Sequence, residues 1–307
     1  MSDPAPVRAE LFERHRPRLF GIAYRMLGSV EDAEDAVQEA YLRWHRTPIE
    51  GIVSHEAWLV SVVTRISIDR LRLAATTRET YVGSWLPEPM ITDPAQSADH
   101  RAERSSDLSM AFLLLLERLA PEERAAFLLR EVLDASYEEI AGILEKSEAA
   151  CRQIVHRARE RVRHGAPRNA VPPDARERLA EQFMTALAEE DQEALVSLFS
   201  EDVAWLSDGG GKVAAVRDVV SGAERVAQLA VRFQRMGRGL VSHRIASING
   251  EPAVLTLADD RTLFTTSFAV EGGRITAVYR VLNPDKLHHV GPPPYLVAGE
   301  PPPRGEL

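Results

Sequence analysis

Cysteine is almost missing from this chain: Cys151 is the only one in 307 residues. That excludes an internal disulfide and a cysteine-built zinc site, and makes the cytoplasm the expected address. Long apolar runs are also missing. None approaches the roughly 18 residues of a membrane span, and the polar stretch Ser2 to Glu10 has no signal-peptide core. A basic excess is lacking too: 37 Lys and Arg against 46 Asp and Glu leave a net charge of −9. This argues against a globally basic nucleic-acid binder but says nothing of local patches. What is there, 45% hydrophobic and 27% charged residues, fits a globular chain with room for about two or three domains.

The segment 11–73 reads as helical. In "VEDAEDAVQEAYLRWH" the residues Ala33, Ala36, Val37, Ala40, Tyr41 and Trp44 recur at helical spacing and form one buried stripe. "HEAWLVSVVTRISIDRLRL" gives a second strong helix with Ser54 as N-cap. From Thr76 to Ser106 periodicity is lost among prolines and small polar residues, as in a linker. Helices return over 107–165: Pro121 with Glu122 and Glu123 marks one start, and Ser136-x-x-Glu139 is a capping box opening "SYEEIAGIL". The break at 145–147 precedes a helix over 148–163, and prolines at 167, 172 and 173 end the unit.

Beyond residue 174 the pattern changes to one helical stretch (176–199) and then strand-like runs at 203–206, 241–248, 253–258, 262–270 and 274–282. "EGG" (271–273) is the hairpin turn between the last two. A helix followed by a strand meander predicts an α+β domain with a curved antiparallel sheet. The tail from Gly291 carries two triple-proline runs and is expected to be disordered or polyproline II.

The helices around 137–163, joined by so short a break, form a helix-turn-helix. The second has Cys151, Val155, Ala158 and Val162 on its apolar side. Its basic residues are Arg152, Arg157, Arg159, Arg161 and Arg163 with His156, and Lys146 precedes it. Such a local basic excess in an acidic chain is a footprint of phosphate contact. A solvated helix surface in an ordinary bundle would carry the same charges. Cys151, on the apolar side, reads as buried filler rather than a redox sensor.

"LAPEERAAFLLREVLDASYEEIAGILEKSEAACRQIVHRARERVR" resembles the −35-reading domain of bacterial extracytoplasmic-function sigma factors. "EDAEDAVQEAYLR" and "AWLVSVVTRISIDRLR" resemble, in the right order, the polymerase-docking and −10-opening helices of sigma domain two. The resemblance implies an alternative sigma factor, not an enzyme, with core RNA polymerase and promoter DNA as partners and no cofactor, metal or membrane. It places Asp35, Gln38, Glu39 and Leu42 against the polymerase clamp helices. It gives DNA to Arg65, Arg70 and Arg72 and to Ser147, Glu148, Arg152, Gln153, His156, Arg157 and Arg159, and offers the loop 47–53 to a flipped base. The family often has Asn where this chain has Arg65. Its recognition helix is also usually richer in threonine or arginine than "SEAACRQ", so promoter preference does not transfer.

The last third resembles a SnoaL-like cone. Three short stretches match the sigma subgroup that carries this extension: "WLPEP" (85–89), "DGGGK" (208–212) and "NPDKL" (283–287). DGGGK lacks the spacing, the Ser/Thr and the strand-to-helix setting of a Walker loop. It is expected to be a bulged turn with positive φ at a sheet rim. Trp85, Leu86 and Pro87 are expected to meet Asp208, Gly209, Gly210, Gly211 and Lys212 together with Asn283, Pro284, Asp285 and Lys286.

The domain layout is thus 1–73, linker 74–106, 107–165, 174–290 and tail 291–307. For a catalytic cone the acid–base candidates would be Asp202, Asp208, His243 and Tyr279, with Trp205 as a wall. A pocket binding a small molecule without chemistry is the other option. Two rivals to a sigma factor remain, a SnoaL-like isomerase or cyclase with a DNA-binding arm and a helix-turn-helix repressor.

Overall fold

Three long helices open the chain in the computed structural model: α1 (Pro4–Leu27), α2 (Val30–Arg46) and α3 (His55–Glu79). The structure describes residues 4–48, 51–79, 81–92, 108–163, 171–259 and 261–291. The expected stripe of α2 is buried at Ala33, Ala36, Val37, Ala40 and Trp44. Ser29 caps its start by accepting from Asp32 N at 3.1 Å, and Ser54 caps α3 through Ala57 N at 3.2 Å. Tyr41, expected in the stripe, is only half-buried and meets Phe12 edge-on at 4.9 Å. α3 continues to Glu79, past the expected end of the helical segment at 73.

Four shorter helices follow: α4 (Met110–Leu116), α5 (Pro121–Glu131), α6 (Tyr137–Leu144) and α7 (Glu148–Arg163). Pro121 is the first residue of α5. Glu145 ends α6 in the left-handed region at φ 55, which sets the tight turn into α7. Cys151, Ile154, Val155, Ala158 and Val162 form the buried side of α7. Burial raises the pKa of the Cys151 thiol, as suits apolar filler.

The remaining elements are α8 (Pro173–Ala188), α9 (Gln192–Leu198), β1 (Phe199–Asp208), β2 (Val220–Ser221), α10 (Ala223–Gly237), β3 (Ser242–Ile248), β4 (Glu251–Ala258), β5 (Arg261–Glu271), β6 (Arg274–Val281) and a short 3-10 helix (Pro284–Lys286). The expected single helix over 176–199 is split, because Glu190 turns at φ 55 and Asp191 recaps the chain through Ala194 N at 2.9 Å.

The sheet order is β2-β1-β6-β5-β4-β3. It is mixed rather than antiparallel: β1 runs parallel to β6, with Trp205 opposite Val278 and Asp208 opposite Val281. A meander predicts antiparallel neighbours, and β3 to β6 obey it. β1 comes from outside that meander and joins its far edge. Helix α10 is a second correction, since no helix is expected there from the strand-like reading. Its buried Val226, Ala227, Ala230 and Val231 repeat at one and four residues, a stripe visible in the sequence.

The chain divides into two compact units, Met1–Tyr81 with Ala111–Ala166, and Val82–Met110 with Pro167–Leu307. In the second, Phe183, Phe199, Trp205, Phe268 and Val278 belong to a core between α8, α10 and the sheet. Phe183 meets Phe268 edge-on at 4.9 Å. Linker residues 82–92 thus group with the C-terminal unit.

Candidate functional site

The outer face of α2 has the expected residues in the open: Asp35 and Gln38 are exposed, Glu39 is half-buried and Leu42 is 47% exposed. Arg70, expected on DNA, instead reaches back to this face. It lies 3.4 Å from Asp35, 3.7 Å from Asp32 and 3.8 Å from Glu39. A cation so surrounded lowers the negative potential of the face but leaves Gln38 and Leu42 open.

Arg65 and Arg72 are occupied as well. Arg65 Nε and Nη2 donate to the carbonyls of Ile143 and Gly142 at 3.0 and 2.8 Å, at the C-terminal end of α6, where carbonyls lack helical partners. Arg72 pairs with Asp69 at 3.2 Å and with Glu122 of α5 at 2.8 Å. Arg124, buried in α5, donates to Met26 O of α1 at 2.6 Å. The two helical modules are therefore joined to each other through arginines, two of which were expected on DNA.

On α7, Ser147 caps the helix through Ala150 N at 3.2 Å. The side chains of Glu148, Arg152, Gln153, His156 and Arg157 are exposed. Arg152 pairs with Glu148 at 3.1 Å and covers the Tyr137 ring. Arg159 is committed to Glu131 at 2.6 Å, and that hydrogen bond raises its already high pKa. Arg157 makes no ion pair among the described residues. The basic excess is thus thinned by local pairing and is freest at Arg157, which lies near exposed Gln153 and His156. Of the 47–53 loop, Ile49 and Glu50 lie outside the described residues, and Val53 is fully exposed.

The three short motifs of the second unit converge. Asp208, fully buried, accepts from Leu86 N at 2.9 Å and from Lys286 Nζ at 2.8 Å through Oδ2. Its Oδ1 accepts from Gly210 N at 3.0 Å, and its carbonyl accepts from Asn283 N at 2.9 Å. Lys286 also donates to Leu86 O at 2.5 Å and lies 4.2 Å from the centre of the Trp85 ring. One aspartate and one lysine thereby hold both polar backbone groups of Leu86, whose side chain is wholly buried. Pro87 is buried, while Trp85 is half-buried rather than enclosed.

The glycines are needed for this closeness. Gly210 and Gly211 have φ of 61 and 70, whereas Gly209 is not in the left-handed region. A Cβ on Gly210 would lie 2.4 Å from Asn283 Nδ2, and one on Gly211 would lie 3.2 Å from Val82 of the linker. Lys212 does not reach the linker; it pairs with Asp285, and both are exposed, as is Pro284. These three residues brace the turn against the NPDKL segment rather than touching the strip.

Sequence reasoning missed the second half of the grip. Buried Glu88 lies 3.0 Å from His289 Nδ1, and His289 Nε2 donates to Pro89 O at 2.9 Å. Burial lowers the pKa of His289, but Glu88 and the Pro89 carbonyl outweigh it and the net shift is upward. Further along, Met90 N donates to Asn249 Oδ1 at 3.0 Å and Asn249 N to Met90 O at 2.8 Å. Ile91 bridges antiparallel to Ile248. The linker thus pairs with the end of the edge strand β3, at Ser247 to Asn249, where backbone groups would otherwise be unpaired. Asn249-Gly250, both at positive φ, is the Asn-Gly signal of a tight hairpin and was legible in the sequence.

The acid–base candidates do not assemble. Asp202 is exposed and accepts from Ser200, and Asp208 serves the linker. A cavity of about 210 Å³ lies between α8, α10 and the sheet, lined by Trp205, His243 and Arg280 among others, with neither Tyr279 nor any carboxylate in its wall. His243 sits 2.9 Å from both Thr256 Oγ1 and Gln234 Oε1. Burial, then nearby Arg280, lowers its pKa, which favours the neutral imidazole. A general base paired with a carboxylate, as acid–base chemistry would want, is not built here.

Residues 11–77 match a Sigma-70 region 2 model, and residues 109–162 a Sigma-70 region 4 model. The ECF RNA polymerase sigma factor SigJ of Mycobacterium tuberculosis is 37% identical over 288 residues, 90% of this chain and 92% of that protein. A probable ECF RNA polymerase sigma factor of that species, SigI, is 30% identical over 94% of this chain and 97% of its own length. The crystal structure of the M. tuberculosis extracytoplasmic function sigma factor SigJ superposes with a TM-score of 0.74 at 34% identity. It covers 91% of this chain and 97% of that one.

Proposed function

The chain belongs to the ECF RNA polymerase sigma factors, and from that membership we propose that its C-terminal module regulates promoter use by gripping the chain between the two sigma modules. Binding to core RNA polymerase and promoter-directed initiation are the activity of the family, which consists of initiation factors and not enzymes. The observation that carries the regulatory reading is the bonding of Leu86: one buried carboxylate and one largely buried ammonium hold its N–H and its carbonyl. A buried ion pair is weak evidence for stability, so the role read for this one is positional. Both partners here spend themselves on a linker backbone.

In this reading the open residues of α2, Asp35, Gln38, Glu39 and Leu42, meet the basic clamp helices of core polymerase. The N-terminal half of α7, from Ser147 through Glu148, Arg152 and Gln153 to His156 and Arg157, enters the −35 element, where Arg159 adds a phosphate contact after leaving Glu131. Arg65, Arg70 and Arg72 reach the −10 DNA only after leaving their present partners, so the joined helical modules are the form that precedes promoter opening. A linker released from Asp208 and Lys286 is free to span between the modules on polymerase. Being on the same chain, even a weak grip is populated through effective concentration.

The test is co-purification with core polymerase followed by transcription from a single promoter. We expect binding and promoter-specific product from the full chain. Removing only 283–307 should raise output, and removing everything from Pro172 should lower it, because the module also positions the sigma modules. Equal output from all three forms would contradict the regulatory reading while leaving the sigma activity intact.

A further inference from the structure

The cavity of the C-terminal unit contains a cation that neither the linker grip nor promoter binding uses. Arg280 projects from β6 into the cavity wall and is 8% exposed. Its guanidinium carbon lies 3.5 Å from the centre of the Phe264 ring, 4.8 Å from Phe233 and 5.5 Å from Trp205. Its buried Nε has no hydrogen-bond partner among the described residues. It makes no ion pair among the described residues, and none of the residues lining the cavity is acidic.

Three aromatic faces offset part of the desolvation of a guanidinium, each by about 0.5–2 kcal/mol. They leave its in-plane N–H donors unused, and an unpaired buried charge is costly. Burial pulls the Arg280 pKa down to about 9, which still leaves the group charged at neutral pH. A planar fork of donors against open space is complementary to a carboxylate, which it can hold by two parallel bonds. The space beside it is mostly apolar, walled by Phe183, Leu187, Phe233 and Val254. The neutral polar groups of the lining include Gln234 and His243, with Ser207, Thr256 and Thr266. Benzene fits an apolar cavity of about 150 Å³, so about 210 Å³ has room for a ring and one carboxylate. A phosphate would bring more charge than one cation neutralises and no apolar body to fill the rest.

We propose that this cavity binds a small monocarboxylate with a ring-sized apolar body, its carboxylate held by Arg280 and its body packed against Phe183, Phe233 and Val254. This site is separate from the linker grip and stands or falls without it, although Ser207 and Leu282 of its wall directly precede Asp208 and Asn283 in the chain.

The experiment is ligand-observed saturation-transfer NMR on the full chain with benzoate, phenylacetate and hexanoate, each beside its amide, and with inorganic phosphate as a bare anion. The acids should bind at least about tenfold more tightly than the amides, and phosphate should not compete with them. Arg280→Met should remove the preference for acid over amide, and Ala230→Leu, which fills the wall, should weaken both. The wild-type comparison decides the matter even where a variant fails to fold. Equal binding of acids and amides, displacement by phosphate, or no binding by any acid overturns the proposal.

Discussion

Basic side chains meet carboxylates in both units, but on different terms. In the helical unit the pairs of Arg65, Arg70 and Arg72 lie at the surface, with arginine side chains 27% to 55% exposed and distances up to 3.8 Å. In the C-terminal unit Lys286 and Asp208 are 12% and 0% exposed and share a linker backbone between them. Surface pairs are worth about 0–1 kcal/mol and are screened by salt. Breaking one partner of a buried pair costs about 3–5 kcal/mol. The surface pairs can therefore exchange partners at little cost, whereas losing either member of the Asp208–Lys286 pair is costly.

The largest effect should come from breaking the buried pair. Asp208→Ala leaves the Leu86 N–H without its acceptor and Lys286 without its counter-charge, so linker docking should weaken by about 3–5 kcal/mol. Hydrogen exchange at Leu86 and Met90 is the readout, and unchanged protection would contradict the grip. Leu86→Ala removes a wholly buried side chain and should cost about 2–4 kcal/mol by chemical denaturation. Trp85→Ala, at a half-buried site, should cost less.

Charge reversal in the helical unit should separate activity from stability. Asp35→Lys with Glu39→Lys should abolish capture by core polymerase. Stability should shift by no more than about 1 kcal/mol, since one residue is exposed, the other half-buried, and both touch only a surface network. Intact capture would sink the assignment of that face. Arg157→Ala should flatten the salt dependence of DNA binding by about one unit of slope. Arg159→Ala should do less, since that side chain must first leave Glu131. Substitution of Glu148, Arg152 or Gln153 should change base preference instead of uniform affinity.

The smallest effect is a pH dependence. The raised pKa of His289 means that protonation favours the docked strip. Its contribution is complete at pH below the ordinary histidine value and is lost as pH rises through the raised folded value. Linker protection measured from pH 5 to 9 should therefore decline toward the alkaline end in the wild type and stay flat in His289→Gln. A decline of the same size in the variant would assign the effect to another group.

Much of this molecule was legible in its sequence because helices announce themselves locally. The stripe of α2, the capping box at Ser136 and Glu139, and the positive-φ glycines of DGGGK each follow from a few neighbouring residues. Pairing direction does not: alternation shows that 203–206 is a strand but cannot say that it lies parallel to β6. Partner choice was hidden for the same reason. Arg65, Arg70 and Arg72 read as phosphate ligands, and their contacts with Gly142, Ile143, Asp35 and Glu122 were hidden because those partners are distant in sequence. Glu88 and His289 were overlooked because each alone resembles an ordinary surface residue, and burial by the other's segment is what makes them specific. Arg280, a lone arginine in a strand, gave no sign that three aromatic rings would enclose it.

The central claim is that the C-terminal module restrains promoter output by holding the linker through Asp208. Its most direct test is the amount of transcript made from one promoter by reconstituted holoenzyme carrying either the wild-type chain or Asp208→Asn, at saturating core polymerase. Severalfold more product from the variant, with core affinity unchanged, is the result predicted here. Equal product from the two, with the Leu86 amide of the variant shown to be released, would contradict it.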